Sequence, residues 1–261
     1  MIALDECGNS TAFVQFISVE DFTAPVIVAG PEDFAVECDG AGNLDTVEDW
    51  LANHGGAMAE DNCSEVSWTN DFMGMDDACG ATGTALVTFT ATDDCGNETT
   101  ASAMLSISDL SGPEMTTAAM DATVECDGAG NAADLDAWLA SNGGASATDA
   151  CSGVTWSNDF AALSADCGAT GAATVTFTAT DDCGNASSTT ATFTIEDTIS
   201  PTRDSEAMDA TVECDGAGNA ADLDAWLASN GGASATDACS GVIWSNDFDA
   251  LSDACGATGA A

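Results

Sequence analysis

All twelve cysteines of this chain fall on one grid of period 88. The columns are Cys38/126/214, Cys63/151/239, Cys79/167/255 and Cys7/95/183. Pro25/113/201, Trp50/138/226 and Trp68/156/244 keep the same step. Residues 121–160 recur at 209–248 with one difference, Thr155 against Ile243. A chain built this way folds as copies of one unit, each in contact with its neighbours. The step divides it into residues 1–21, the end of a preceding repeat; complete repeats at 22–109 and 110–197; and a truncated repeat at 198–261. We read it as a window on a longer array, so the absence of a basic, apolar leader at Met1 says nothing about location.

Within the repeat 110–197, Ala122, Val124 and Cys126 alternate with Thr123 and Glu125, the pattern of a strand with one buried face. Asn131 is expected to cap a short helix, with Asp134 in its first turn and Leu135, Trp138 and Leu139 on its inner side. Asn142-Gly143-Gly144 ends that helix as a left-handed cap would. Val154 and Trp156 then face inward. Val175, Phe177 and Ala179 alternate with threonines, and so do Ala191, Phe193 and Ile195 after the turn Asp181–Asn185. We expect antiparallel strands with a dry and a wet face. The fold class is all-β: tandem immunoglobulin-like β-sandwich repeats, each with one short helix, disulfide-stapled and forming an elongated rod.

The cysteines include no C-x-x-C pair, which argues against a zinc ribbon or a thioredoxin-like site. Disulfides and an extracellular compartment fit better. Three pairings are open within a repeat. The strand at 85–92 separates Cys79 from Cys95 by more than a disulfide spans. Cys63 and Cys95 both follow strands in acidic turns and are expected at one pole. The topology thus favours Cys63–Cys95 and Cys38–Cys79, repeated as Cys151–Cys183, Cys126–Cys167 and Cys214–Cys255. Cys7 and Cys239 then have no partner.

Forty-five Asp and Glu stand against one basic side chain, Arg203, for a formal charge of −44. Phosphate-contacting nucleic-acid binding and a polybasic membrane anchor are excluded. No apolar run reaches the ~18–20 residues of a membrane span. The natural partner of such a polyanion outside a cell is Ca²⁺. Asp21, Asp61, Asp93, Asp94 and Asn97 are expected to converge near the preceding repeat, and Asp109, Asp149, Asp181, Asp182 and Asn185 at the next joint. The alternative is that these residues are ordinary turn formers. Asp39, Asn43 and Asp45 form a weaker cluster.

Catalysis has little to draw on. His54 is the one histidine, and Asn142 and Asn230 take its place in the other repeats. Its expected role is a left-handed helix end. The tryptophans read as core more than as sugar platforms, Arg203 as a surface ion pair, and the threonine rows as solvated β-formers. The sequons at Asn9, Asn62, Asn97 and Asn185 mostly coincide with turn asparagines.

The run TFTATDDCGN at 88–97 and 176–185, followed by a strand, an Asp and Pro113 or Pro201, resembles the hyalin-type (HYR-like) immunoglobulin-like repeat. With VECDG at 36–40, a Trp-Leu helix near 50, and DNC or DAC before the central strand, it looks like the four-Cys repeats of giant Bacteroidota surface proteins. Those include gliding-motility adhesins exported by the type IX system. The resemblance covers the whole chain. It implies a secreted bacterial, non-enzymatic array at the cell surface, serving adhesion as a stalk or filament. Its partners would be neighbouring repeats, further copies in a homo-oligomeric filament, and surface glycans. A multivalent glycan- or ice-binding module acting through the threonine faces is the alternative.

Overall fold

A computed structural model describes residues 1–252, 259 and 260. The described chain is built mainly of β-strands, with three nine-residue helices. It forms two compact units. One comprises Met1–Ser111 with Asp149–Gly153 and Asp182–Asn185. The other comprises Gly112–Thr148, Val154–Asp181 and Ala186–Ala261.

In the second unit the alternating stretches make the longest strands. Gly171–Asp181 runs antiparallel to Ala186–Glu196, with Ala173 opposite Phe193 and Val175 opposite Ala191. The inward face of this pair, Val175, Phe177, Ala179, Phe193 and Ile195, is fully buried or nearly so. Val154–Asn158 adds to one edge, with Trp156 opposite Ala179. At the other edge Ala122–Glu125 pairs with Ala186–Glu196 in parallel, not antiparallel as expected. Alternation has the same period in both directions, so side-chain pattern alone does not fix strand sense. A smaller sheet pairs Glu114–Thr117 with Ser146–Thr148, with a register slip between Met115 and Thr117.

The helix Ala132–Ala140 lays Leu135 and Trp138 on this core. The Trp138 ring meets Phe177 edge-on at 5.1 Å, and its indole N–H donates to the Met120 carbonyl at 3.1 Å. Core packing, not an open stacking platform, is where the structure puts it. Asn131 is left-handed (φ 49°) and its side chain does not cap the helix. Its Oδ1 accepts from the Asp127 N–H at 3.1 Å, and its amide donates to the Glu125 carbonyl at 2.9 Å. The side chain closes the preceding loop instead. The helix ends as expected, with Asn142 at φ 55° and Gly143 at φ 64°. His54 holds the equivalent place at φ 55°, and its ring stacks on Trp68 at 5.0 Å.

The first unit repeats this plan. Gly83–Thr92 pairs antiparallel with Glu98–Ser108, Ser67–Asn70 lies on one edge, and Phe34–Glu37 runs parallel on the other. Val87, Phe89, Leu105 and Ile107 form its core with Cys38, Val47 and Cys151. Arg203 makes an exposed ion pair with Glu206 at 3.6 Å.

The Asp127 carboxylate holds its loop by accepting from the Ala129 and Asn131 N–H groups at 2.7 and 3.0 Å. The Asn131 and Ala129 donors hold its pKa below the usual carboxylate value. A depressed folded pKa contributes stability above the unfolded value, about 3.9, and that contribution is lost as pH falls through the lower folded value. The stability difference between the wild type and Asp127→Ala should therefore be constant from about pH 7 to 5 and shrink below about pH 4. Urea melts across that range measure it, and the subtraction removes the background of the other carboxylates.

Candidate functional site: acidic turns and a disulfide joint

Two turn types recur at the ends of the strands. In the first, Asp149 Oδ1 accepts from the N–H groups of Cys151 and Ser152 at 2.8 and 3.0 Å. Asp61 does the same for Cys63 and Ser64 at 2.8 and 2.9 Å, and Asp237 for Cys239 and Ser240 at 2.9 Å each. In the second, Asp93 Oδ1 accepts from Cys95 and Asn97 N–H at 2.8 Å each, and its Oδ2 from the Asn97 amide at 2.8 Å. Desolvation opposes ionisation of Asp93, but the donors from Asn97, Cys95 and Gly96 outweigh it and hold the pKa down.

The cysteines do not pair within repeats. Cys38 bonds Cys151, Cys79 bonds Cys183 and Cys126 bonds Cys239, with Cα separations of 6.0, 5.1 and 6.0 Å. The expected pairs Cys38–Cys79, Cys63–Cys95, Cys126–Cys167 and Cys151–Cys183 are corrected accordingly. Cys214–Cys255 involves a residue outside those described. Cys239, expected to be alone, has a partner, whereas Cys7, Cys63, Cys95 and Cys167 are exposed and unpaired. The expected neighbourhoods were nonetheless right. Cys38 Sγ lies 3.7 Å from the Ala81 carbonyl, beside the Cys79 loop. Ser64 Oγ accepts from the Asp94 N–H at 3.2 Å, which joins the Cys63 and Cys95 turns. The missing element is the loops of the following repeat, Asp149–Gly153 and Asp182–Asn185, which pack within the first unit. They bring Cys151 and Cys183 to Cys38 and Cys79.

Backbone contact accompanies the bonds. Ala81 N–H donates to the Cys151 carbonyl at 2.8 Å, and Ala169 N–H to the Cys239 carbonyl at 2.8 Å. Glycines make this approach possible. A Cβ at Gly40 would collide with the Ala150 carbonyl, and one at Gly128 with the Ala238 carbonyl. Gly216 has the same conformation as Gly128 (φ 79° against 76°), but nothing lies within 4 Å of its Cβ position. Left-handed strain of about 1–2 kcal/mol is common to both. Gly128→Ala is therefore expected to destabilise by at least about 1 kcal/mol more than Gly216→Ala, because it also displaces the loop. Denaturant unfolding of the two variants checks this.

Glu37 and Glu125 were not anticipated as tethers. Glu37 Oε1 accepts from Leu110 N–H and Ser111 Oγ at 2.9 and 3.0 Å. Glu125 accepts from Thr198 N–H and Oγ at 2.9 and 2.7 Å, and the Thr198 donors lower its pKa. The signal was the invariant step of Val-Glu-Cys-Asp-Gly at 36–40, 124–128 and 212–216.

Of the expected cation ligands, the structure groups Asp21 with Asp61 and Cys63, and Asp109 with Asp149 and Cys151, with one donor atom of each within 4.8 Å of the others. Asp21 Oδ2 and Asp61 Oδ2 are buried without a hydrogen bond, although each Oδ1 holds a turn. Desolvation, followed by the charges of Asp21 and Asp61, pushes the Cys63 thiol up, which disfavours a thiolate ligand. Cys151 is already in a disulfide. The donor set is thus hard carboxylate oxygen. Asp93 is committed to its own loop, while Asp94 and Asp182 are exposed. The side-chain amides of Asn97 and Asn185 donate to the main-chain carbonyls of Asp21 and Asp109, at 3.2 and 3.0 Å. Asp181 is buried at the end of its strand. Asp197 and Asp237, not among the expected ligands, occupy the same places one period on, bridged by Ser240 Oγ.

No helix among the described residues is long and apolar enough to cross a membrane. No family model matches the chain. No curated protein matches it. Among solved structures it is similar to Drosophila N-cadherin EC1-4, at 11% identity over 67% of this chain and 50% of that one, with a TM-score of 0.28. It is similar to mouse cadherin-23 EC22-24 at 12% identity, over 67% and 65%, with a TM-score of 0.23. A chimeric titin Z1Z2-Z1Z2 tandem aligns at 12% identity over 66% and 99%, with a TM-score of 0.20. The chain spans about half the length of the first of these.

Proposed function

We propose that the chain is part of an extracellular structural and adhesive repeat array, the stalk or filament of a bacterial cell-surface adhesin of the hyalin-type class, without catalytic activity. The observation that carries this reading is the bonding of Cys38 and Cys79 to cysteines of the following repeat. Bonds placed so tie one repeat to the next, which serves a load-bearing rod and has no use in a turnover site. Such bonds persist in oxidising compartments outside the cytosol. The near absence of Lys and Arg also removes trypsin-type cleavage sites from an exposed stalk. At −44, lateral assembly of such rods requires cations to damp repulsion.

Ca²⁺ bound by Asp21 and Asp61, and by Asp109 and Asp149, belongs to this reading. The support is the pair of buried oxygens on Asp21 and Asp61 that no donor satisfies. A carboxylate desolvated without a partner is costly, and a hard cation relieves that cost. These carboxylates supply fewer oxygens than the six to eight Ca²⁺ takes, so water completes the shell. At the affinity of extracellular modules, about 0.1–1 mM, 10 mM Ca²⁺ stabilises by about 1–3 kcal/mol. Melting in Ca²⁺ and in chelator tests this. The shift should be largely lost when Asp21, Asp61, Asp109 and Asp149 are all replaced by Asn, which keeps the turn acceptors. An equal shift in the variant means general screening, and no shift in the wild type removes the metal.

A second reading is a glycan- or ice-binding surface. Its support is register: Thr174 faces Thr192, Thr176 faces Thr190 and Thr178 faces Ser188 across the outer sheet face. Thr174 and Thr192 already bond each other at 3.0 Å, which leaves fewer free hydroxyls. Retention on glycan arrays or in growing ice would favour it.

A further inference from the structure

We propose that the pole of the first unit bearing Cys63 and Cys95 is the receiving half of a joint. Its occupant is another repeat of this kind, presenting a Cys-Asp-Gly loop and a Cys-Gly-Ala-Thr-Gly loop. The inference rests on the reading of the chain as a repeat array and names the partner of its open pole.

The argument is a comparison within the molecule. Cys63 lies one period before Cys151, and Cys95 one period before Cys183. Cys151 and Cys183 are bonded to the loops Cys38-Asp39-Gly40 and Cys79-Gly80-Ala81-Thr82-Gly83. Around Cys63 and Cys95 the same turns stand in the same geometry without a partner. Asp61 holds the Cys63 and Ser64 N–H groups at 2.8 and 2.9 Å, as Asp149 holds those of Cys151 and Ser152 at 2.8 and 3.0 Å. Ser64 Oγ accepts from Asp94 N–H at 3.2 Å, as Ser152 Oγ does from Asp182 N–H at 3.3 Å. The Asn97 amide reaches the Asp21 carbonyl at 3.2 Å, as that of Asn185 reaches Asp109 at 3.0 Å. The difference lies in coverage: Cys151 is buried in the core cluster, whereas Cys63 is exposed. A surface already in its bound geometry docks without rearrangement. The Cys63 carbonyl then accepts from the docked repeat's counterpart of Ala81, as the Cys151 carbonyl accepts from Ala81.

The bonds form by thiol–disulfide exchange with a small disulfide such as oxidised glutathione. One cysteine thiolate attacks it and releases one thiol; the second cysteine thiolate then displaces the other. Each bridge thus converts two protein thiols to one disulfide and reduces one small disulfide to two thiols.

The test lengthens the chain by one repeat, a second copy of residues 110–197 placed directly before residue 22. The protein is folded with oxidised glutathione, cleaved at aspartate and mapped by mass spectrometry without reduction. Cys63 should be bonded to the added copy of Cys126, and Cys95 to the added copy of Cys167. The proposal is overturned if Cys63 and Cys95 bond each other, bond in the crossed arrangement, or remain open to alkylation. The internal bonds Cys38–Cys151 and Cys79–Cys183 separate the two failures. If they form and the new ones do not, the inference alone fails; if they are absent, the reading of the array joint fails with it. Should the lengthened chain not fold, native alkylation of the unlengthened chain decides. Both thiols should react, and a Cys63–Cys95 bond there overturns the proposal.

Discussion

A chain with Cys38 and Cys79 both replaced by serine is expected to unfold at markedly lower denaturant than the wild type. The bonds close sequence separations of 113 and 104 residues. Loop-closure entropy assigns about 4.7 kcal/mol to a loop of ~100 residues, and measured losses on removing a native disulfide are about 2–5 kcal/mol. Once one bond has formed, the other closes a shorter loop, so the pair contributes less than twice one bond. Packing adds to the loss, because Cys38 and Cys151 belong to the same buried cluster as Val87, Phe89 and Leu105. The control is Cys95→Ser, at an exposed unpaired position, which should stay within about 0.5 kcal/mol. Urea unfolding without reductant measures both. A double variant that unfolds with the wild type would mean these bonds do not hold the joint.

Phe177→Ala carries the second large effect. Phe177 has no exposed surface and meets Trp138 at 5.1 Å. Truncating a buried Phe removes its transfer free energy and leaves a cavity, for a loss of about 3–5 kcal/mol. Thr190→Ala, on the outer face of the neighbouring strand and exposed, should change stability by about 0.5 kcal/mol or less. The contrast tests whether alternation along these strands divides core from surface. Equal losses would contradict that division.

The long strands were legible because alternation and burial share one cause. Val175, Phe177 and Ala179, picked out by period, have no exposed surface. Asn142-Gly143-Gly144 and His54 were legible because few residues accept a left-handed backbone. Strand sense was not: Ala122–Glu125 alternates identically whether its neighbour runs parallel or antiparallel. The Asn131 side chain turned back to Asp127 and Glu125, since the same amide serves a loop as readily as a helix cap. The disulfides were misread for a topological reason. Cys38 and Cys79 share a pole, as do Cys63 and Cys95, but proximity within one repeat does not show what the adjacent repeat brings to that pole. Period gave the columns of the grid and left open which columns meet. Gly40 and Gly128, where a side chain would strike an approaching carbonyl, were the sequence mark of that approach.

The most direct measurement is the disulfide map of the native chain, cleaved at aspartate because lysine is absent and Arg203 is the one arginine. The account predicts peptides joining Cys38 to Cys151, Cys79 to Cys183 and Cys126 to Cys239, with Cys63 and Cys95 alkylated as free thiols. Peptides joining Cys38 to Cys79, Cys126 to Cys167 and Cys151 to Cys183 would show repeats closed on themselves, and would contradict it.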